Sequence, residues 1–498
     1  MQLLAREFAE RAERAPDHLA VIDALGEHSM GEVMQAARDL AIALEESIGG
    51  SPTVLVQADN TWRTLATALA VGMRGGMVTV LSSHAVAAEL ELAMEDIEPD
   101  AVVASDGVLQ HWAVSNEAFP DKRAALDGWA LVTSGRPASD VGRWAGGVAV
   151  AMTSGSTGRP KCVVQSEESL RYAGRSTIDA IGLQPGDDVG AFVPLSSVAA
   201  YCFGMYLPAL LGGTMVCIES WKPDDALEAM AAYDVRWTML VPTMALQLSV
   251  RPSGAGRLTG MKGMTVGGGP MDAGALGRAE QVLGTTIIRV FGMSECLGHT
   301  TTSPGDVAET RLACDGRPFP GTEVRAVGED GRPLPAGQVG DAQVRGPSLF
   351  VGYARGGRPQ PPELTGDGFL PTGDLVRLNP DGTITILGRQ KQIIIRGGRN
   401  IDINEVEAAV ARIPAVAQVC VVPVSDEMLG ERVAALVVST SPGLSLSDVT
   451  GHLESEGVPK AKWPEFVFVV PDLPQNRVGK LSRPDAVSLA TRLRDGVT

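Results

Sequence analysis

Short apolar runs alternating with amphipathic stretches restrict this chain to one class of fold. Runs of strand length, "TVLVQA", "MVTVLS", "AVVAS", "GVAVAM", "TMVCIES", "WTMLVP" and "TIIRVF", are separated by amphipathic segments such as "TWRTLATALAVGMRGG" and "PDDALEAMAAYDV". The pattern predicts an α/β fold, in which ligands bind where strands end in loops. Three glycine-rich loops follow strand candidates: "TSGSTG", "VGGGPM" and "VFGMSE". A strand-to-loop site would bring them together.

From about Glu323 to Gly388 the texture changes to short strands with turn signals, and Asp-Gly at 330–331 and 381–382 marks two hairpins. A small β-rich subdomain fits. Beyond "GRQKQIII" the pattern alternates again. A helix "NEVEAAVARI" precedes strands "AQVCVVPV" and "ERVAALVVS", then a helix "SLSDVTGHLESEG" and a strand "EFVFVV". This reads as a second, compact α+β domain.

Composition narrows the partners. A formal net charge of −17 over 498 residues argues against nucleic acid, which needs a basic surface. The six cysteines are scattered without a C-x-x-C pair, and the six histidines show no metal-ligand spacing. Reduced, mostly buried thiols in a cytoplasmic protein are expected. The N-terminus carries charges from Arg6 onward and reads as an amphipathic helix, without an apolar core of signal-peptide length. Val189 to Ile218 has no charged residue, but Pro194, Pro208, Gly212 and Gly213 interrupt it. A buried strand, helix and second strand explain it better than a membrane span.

The stretch "MTSGSTGRPK", Met152 to Lys161, combines hydroxyls, glycines and a lysine on one short loop. Glycine lets backbone approach a ligand, and successive N–H groups form an anion nest. Phosphate suits that set, although a polar turn after a strand has similar composition. The loop is not a Walker A motif, because Arg159 and Pro160 follow Gly158. Gly479-Lys480 fails as one too, with Pro474 and Leu481 where a glycine and a hydroxyl are needed. No Gly-x-Ser-x-Gly elbow is present.

Six motifs occur in order: "TSGSTGRPK", "GGGPM", "FGMSE", "TGD", "GRQKQIIIRGGRNI" and "NRVGK". With them the chain resembles the adenylate-forming superfamily of acyl- and aryl-CoA synthetases, peptide-synthetase adenylation domains and luciferases. The N-terminal "FAERAERAPDHLAVID" resembles it as well, so the likeness covers essentially the whole chain. It implies a large N-terminal domain of αβαβα layers with a β-rich subdomain, residues 1–390. A small mobile α+β lid domain, residues 391–498, would follow. The implied chemistry joins a carboxylate to AMP, using ATP and Mg²⁺, and passes the acyl group to a thiol such as CoA. Catalysis of that kind is mainly positioning and charge neutralisation.

By this resemblance Thr153, Ser154, Gly155, Ser156, Thr157 and Gly158, with Lys161, hold the β- and γ-phosphates. Glu295, after Phe291, Gly292, Met293 and Ser294, would bind Mg²⁺, a hard cation that prefers oxygen. Gly267, Gly268 and Gly269 would let adenine lie against backbone, with Phe291 beside it. Asp374 would accept hydrogen bonds from both ribose hydroxyls, supported by Arg389. Lys480 would bridge the substrate carboxylate and the α-phosphate. Lys391 falls at the hinge position, and Gly397 and Gly398 would face the acceptor channel. Ile403 stands where CoA ligases often carry proline.

The acid pocket is expected around Ser197, Ala200, Tyr201, Phe203 and Cys296. Amino-acid-activating relatives place an aspartate near Ala200, and a buried unpaired ammonium is costly, so an α-amino acid is disfavoured. The dihydroxybenzoate type has an asparagine where Val198 stands. An aryl or medium apolar acid is expected, with CoA as acceptor. The alternatives are a carrier-protein thiol, an amine, or an unusual oxyacid such as nitrite as substrate. A non-catalytic nucleotide binder would not need Glu295, Asp374, Arg389 and Lys480 together. A monomer or homodimer without membrane or nucleic-acid partners completes the expectation.

Overall fold

The protein is described as a computed structural model covering residues 1–153, 160–269, 271–389, 393–396, 399–476 and 479–496, with backbone alone for 389, 393, 395, 399 and 400. Two nine-stranded sheets dominate. The first has a parallel centre in which Gly263–Gly267 runs between Trp237–Leu240 and Ile287–Met293. The second is parallel through Ala101–Ser105, Thr53–Gln57, Met77–Leu81 and Gly147–Thr153, and antiparallel at both ends. Parallel strands are covered on both faces, which is why they read as unbroken apolar runs. One continuous core links the sheets through helices Gln2–Arg14, Met30–Ile48, Trp62–Met73 and Glu167–Ile181.

The uncharged stretch folds as expected. Strand Val189–Ala191 leads into a helix and then strand Met215–Cys217, all buried in that core. The helix starts at Val198–Ala200, widens to π geometry over Tyr201–Tyr206 and closes with Leu207–Leu211. No helix among the described residues is long and apolar enough to cross a membrane.

The β-rich region is a four-stranded antiparallel sheet, Glu323–Val327, Val339–Arg345, Leu370–Leu378 and Ile384–Arg389. Both Asp-Gly pairs lie in its connections, with φ of +75° at Gly331 and +82° at Gly382. The C-terminal region forms its own five-stranded sheet with helices Ile403–Ala411, Leu446–Ser455 and Arg483–Arg494. It has two separate cores, one on each side of the long hairpin Val416–Asp426 and Gly430–Ser439. A large α/β domain and a small α+β domain result. The expected boundary at 390/391 falls outside the described residues.

Candidate active site

Two motif loops leave neighbouring parallel strands at the same end of the sheet. Gly267 is paired with Val290, so "GGG" and "FGMSE" start side by side. Phe291 packs edge-on to His299, with ring centroids 5.0 Å apart, and against the core of the four-stranded sheet. That core includes Val376, two residues beyond the buried Asp374. The Asp374 N–H is held by Thr372 Oγ1 at 3.1 Å, and its backbone pairs with Arg389. The Arg389 side chain lies outside the described residues. At Gly292 a Cβ would lie 2.5 Å from the Gly298 nitrogen, so only glycine permits that crossing of strands.

Lys480 enters this region from the small domain. A Cβ built on Gly268 would lie 2.9 Å from both Cε and Nζ of Lys480. Gly268 has φ of +83°, where an L side chain is strained as well as crowded. Thr243 Oγ1 donates to the Gly479 carbonyl at 2.7 Å, and the Lys480 N–H donates to Asn476 Oδ1 at 3.0 Å. The lysine is thereby delivered on a backbone anchored to the large domain.

The loop expected to hold phosphate joins two paired strands, with Thr153 opposite Lys161. Ser154 to Gly158 lie outside the described residues, as do Lys391, Gly397 and Gly398. The Lys161 ammonium is 3.3 Å from the Tyr353 hydroxyl, which donates to Glu295 Oε1 at 2.6 Å. Burial and the adjacent Glu295 charge push the Tyr353 phenol well above its ordinary range. Gln165 Nε2 donates to the Ser294 carbonyl at 2.6 Å, and the Phe350 N–H to the Glu295 carbonyl at 2.9 Å. Among the described residues no three His, Cys, Asp or Glu side chains form a metal cage. Glu295, a carboxylate held by the Tyr353 hydroxyl, is chemically suited to Mg²⁺, which takes one or two carboxylates and keeps several waters.

Ala200 and Phe203, with Gly204 and Met239, line a cavity of about 10 Å³, the size of one water. Phe203 also reaches the "FGMSEC" side, since a Cβ on Gly298 would be 2.8 Å from its Cζ. The other residues expected in the acid pocket have the following surroundings. Ser197 caps the helix, accepting from the Ala200 N–H at 3.1 Å. Tyr201 is buried beside Tyr206 and Glu167, and burial raises its phenol far above the ordinary range. Cys296 faces Ser348 at 3.2 Å, its thiol pushed up to about 12 by burial. Sequence reasoning missed Tyr353, Gln165 and Thr243, because their partners are remote in sequence. A recess of about 600 Å³ beside Arg171, Tyr172 and Phe319 includes none of the motif residues.

Known proteins resemble this chain over most of its length. The family described as AMP-binding enzyme matches residues 8–354, and the AMP-binding enzyme C-terminal domain matches 405–480. A salicylyl-CoA synthase / salicylate adenylyltransferase from Streptomyces sp is 32% identical, covering 98% of this chain and 92% of that one. A salicyl-AMP ligase / salicyl-S-ArCP synthetase from Mycobacterium tuberculosis is 30% identical, covering 96% and 88%. The solved amide bond synthetase McbA from Marinactinospora thermotolerans superposes with a TM-score of 0.81 at 25% identity, covering 97% and 99%.

Proposed function

This chain belongs to the AMP-binding, adenylate-forming enzymes, and from that premise we propose that it activates an aryl or medium apolar carboxylic acid with ATP and passes the acyl group to CoA. A carboxylate oxygen attacks the α-phosphorus and pyrophosphate leaves, giving an acyl-adenylate. A thiolate then attacks the acyl carbonyl and AMP leaves. The observation that carries the reading is Lys480 of the small domain lying against Gly268 of the large one. A cation there would neutralise charge that peaks as the carboxylate and α-phosphate approach.

The other residues divide the remaining work. Lys161 and the Thr153–Gly158 loop would hold the β- and γ-phosphates. Glu295 would hold Mg²⁺, which when bound neutralises the phosphate oxygens. Asp374 and Arg389 would take the ribose, and Phe291 with Gly267–Gly269 the adenine. Lys391 would be the hinge at a boundary near 390/391, and Gly397 and Gly398 would line the acceptor route. The uncharged residues Ala200 and Phe203, with no carboxylate near Ala200 in sequence, favour an acid without an ammonium group.

A second acceptor reading has its own support. Ile403 stands where CoA ligases often carry proline, and the relatives include one named for a carrier-protein thioester and one for amide bonds. The acyl group would then go to a carrier protein or an amine. The test is a panel of acids in ATP–pyrophosphate exchange, followed by CoA, carrier protein or amine as acceptor. Lys480→Ala should lower exchange about 10²–10³-fold while a preformed acyl-adenylate still reacts with its acceptor. Release of ADP, or equal loss of both steps, defeats the reading.

A further inference from the structure

Tyr353 belongs to none of the six motifs, yet it touches both charged groups at the phosphate end of the site. It lies on strand Gly352–Arg355, which pairs antiparallel with Lys161–Ser166 so that Tyr353 faces Val163. Side chains two apart on a strand share a face, so Tyr353 and Lys161 are diagonal neighbours. The Lys161 Nζ is 4.7 Å from the Tyr353 ring centroid and 3.3 Å from its hydroxyl. The hydroxyl proton goes to Glu295 Oε1 at 2.6 Å. That leaves the phenol oxygen to accept from Lys161, so the polarity of the chain Lys161, Tyr353, Glu295 is fixed.

The ring itself is held. Phe350 packs edge-on at 4.8 Å and 64°, and the Phe350 N–H binds the Glu295 carbonyl at 2.9 Å. Without the phenol between them, a lysine and a glutamate here would close into a direct ion pair. Such a pair would neutralise the phosphate-binding cation and occupy the carboxylate at once.

We propose that Tyr353 is a positioning residue that keeps Lys161 and Glu295 apart and each oriented for a magnesium–nucleotide complex. The proposal rests on the adenylation reading. Tyr353 does not touch the reacting atoms. It acts through Glu295, whose one oxygen it engages, and through Lys161, whose ammonium it cradles over the ring.

The test is Tyr353→Phe, which keeps the ring contacts with Phe350 and Lys161 and removes one hydroxyl. Calorimetric titration with a non-hydrolysable ATP analogue and Mg²⁺ should show affinity about tenfold weaker, the scale of a lost hydrogen bond to a charged group. The Mg²⁺ concentration for half-maximal pyrophosphate exchange should rise by about the same factor, with KM for the acid unchanged. In a double-mutant cycle, Tyr353→Phe should cost little further once Glu295→Gln is present. A merely structural tyrosine would give independent losses and an unshifted Mg²⁺ midpoint. Wild-type-like titration by Tyr353→Phe, or independent losses in the cycle, overturns the proposal while wild-type exchange upholds the adenylation reading. A wild-type protein that neither binds the complex nor exchanges pyrophosphate with any acid overturns both.

Discussion

Replacing Gly268 with alanine separates the stability of this site from its chemistry. The new Cβ would sit 2.9 Å from the Cε and Nζ of Lys480, inside van der Waals contact. Those atoms are the far end of a flexible side chain, so they can retreat cheaply. The backbone at φ of +83° adds strain of about 1–2 kcal/mol for a residue with a Cβ, a minor part of the ~5–15 kcal/mol that holds a domain together. Gly268→Ala should therefore stay folded, with a slightly lowered melting temperature. Its lysine, however, must move by several tenths of an ångström or more. A misplacement near 1 Å costs up to about 10²-fold in rate, so adenylation should fall about 10–100-fold, or about 1.4–2.7 kcal/mol of barrier. The assay is ATP–pyrophosphate exchange with the activating acid, beside acyl transfer from synthetic adenylate in the same preparation. Exchange should fall and transfer should persist. Unchanged exchange in a folded variant would refute the placement of the Lys480 cation at Gly268 during adenylation.

Four further outcomes are expected. Asp374→Asn should raise KM for ATP by about tenfold, as loss of a charged hydrogen-bond acceptor does, and nucleotide titration measures it. Met239→Ala should widen the small cavity and shift the acid spectrum toward bulkier acids in the exchange panel, with Mg²⁺–nucleotide affinity unchanged. Gly398→Leu should block acyl transfer and spare exchange, and equal loss of both would remove this loop from the acceptor route. His299 is fully buried with neither ring nitrogen hydrogen-bonded among the described residues, and burial lowers its pKa from 6.5 to about 3. Between those values the unfolded chain binds a proton that the folded one refuses, so stability is full above pH 6.5 and declines below it. Denaturant unfolding at pH 5 should show about 2 kcal/mol less stability than at pH 7 from this group, and His299→Leu should flatten that dependence.

Features that depend on a local requirement were legible in the chain. The Asp-Gly hairpins need left-handed backbone at Gly331 and Gly382, and both have it. The apolar runs became parallel strands because burial on both faces demands such runs. Ser197 carries a cap signature at the start of the helix Val198–Ala200. Widening to π geometry over Tyr201–Tyr206 has no comparable signal in the letters.

Tyr353 and the seating of Lys480 were illegible for a different reason. A glycine-rich loop or a buried aspartate announces the atoms that a ligand requires. A supporting phenol announces nothing, since its role follows from sheet register. Tyr353 meets Lys161 only because the strand Gly352–Arg355 pairs with Lys161–Ser166 in one register. A slip of one residue would turn Tyr353 to the other face of the sheet and leave Lys161 and Glu295 free to collapse onto each other. Lys480 likewise reaches Gly268 through the bond from Thr243 to the Gly479 carbonyl, a contact between domains that no local pattern encodes. The residues that would touch the nucleotide are therefore readable one motif at a time, whereas the residues that aim them exist only once the sheets and domains have paired.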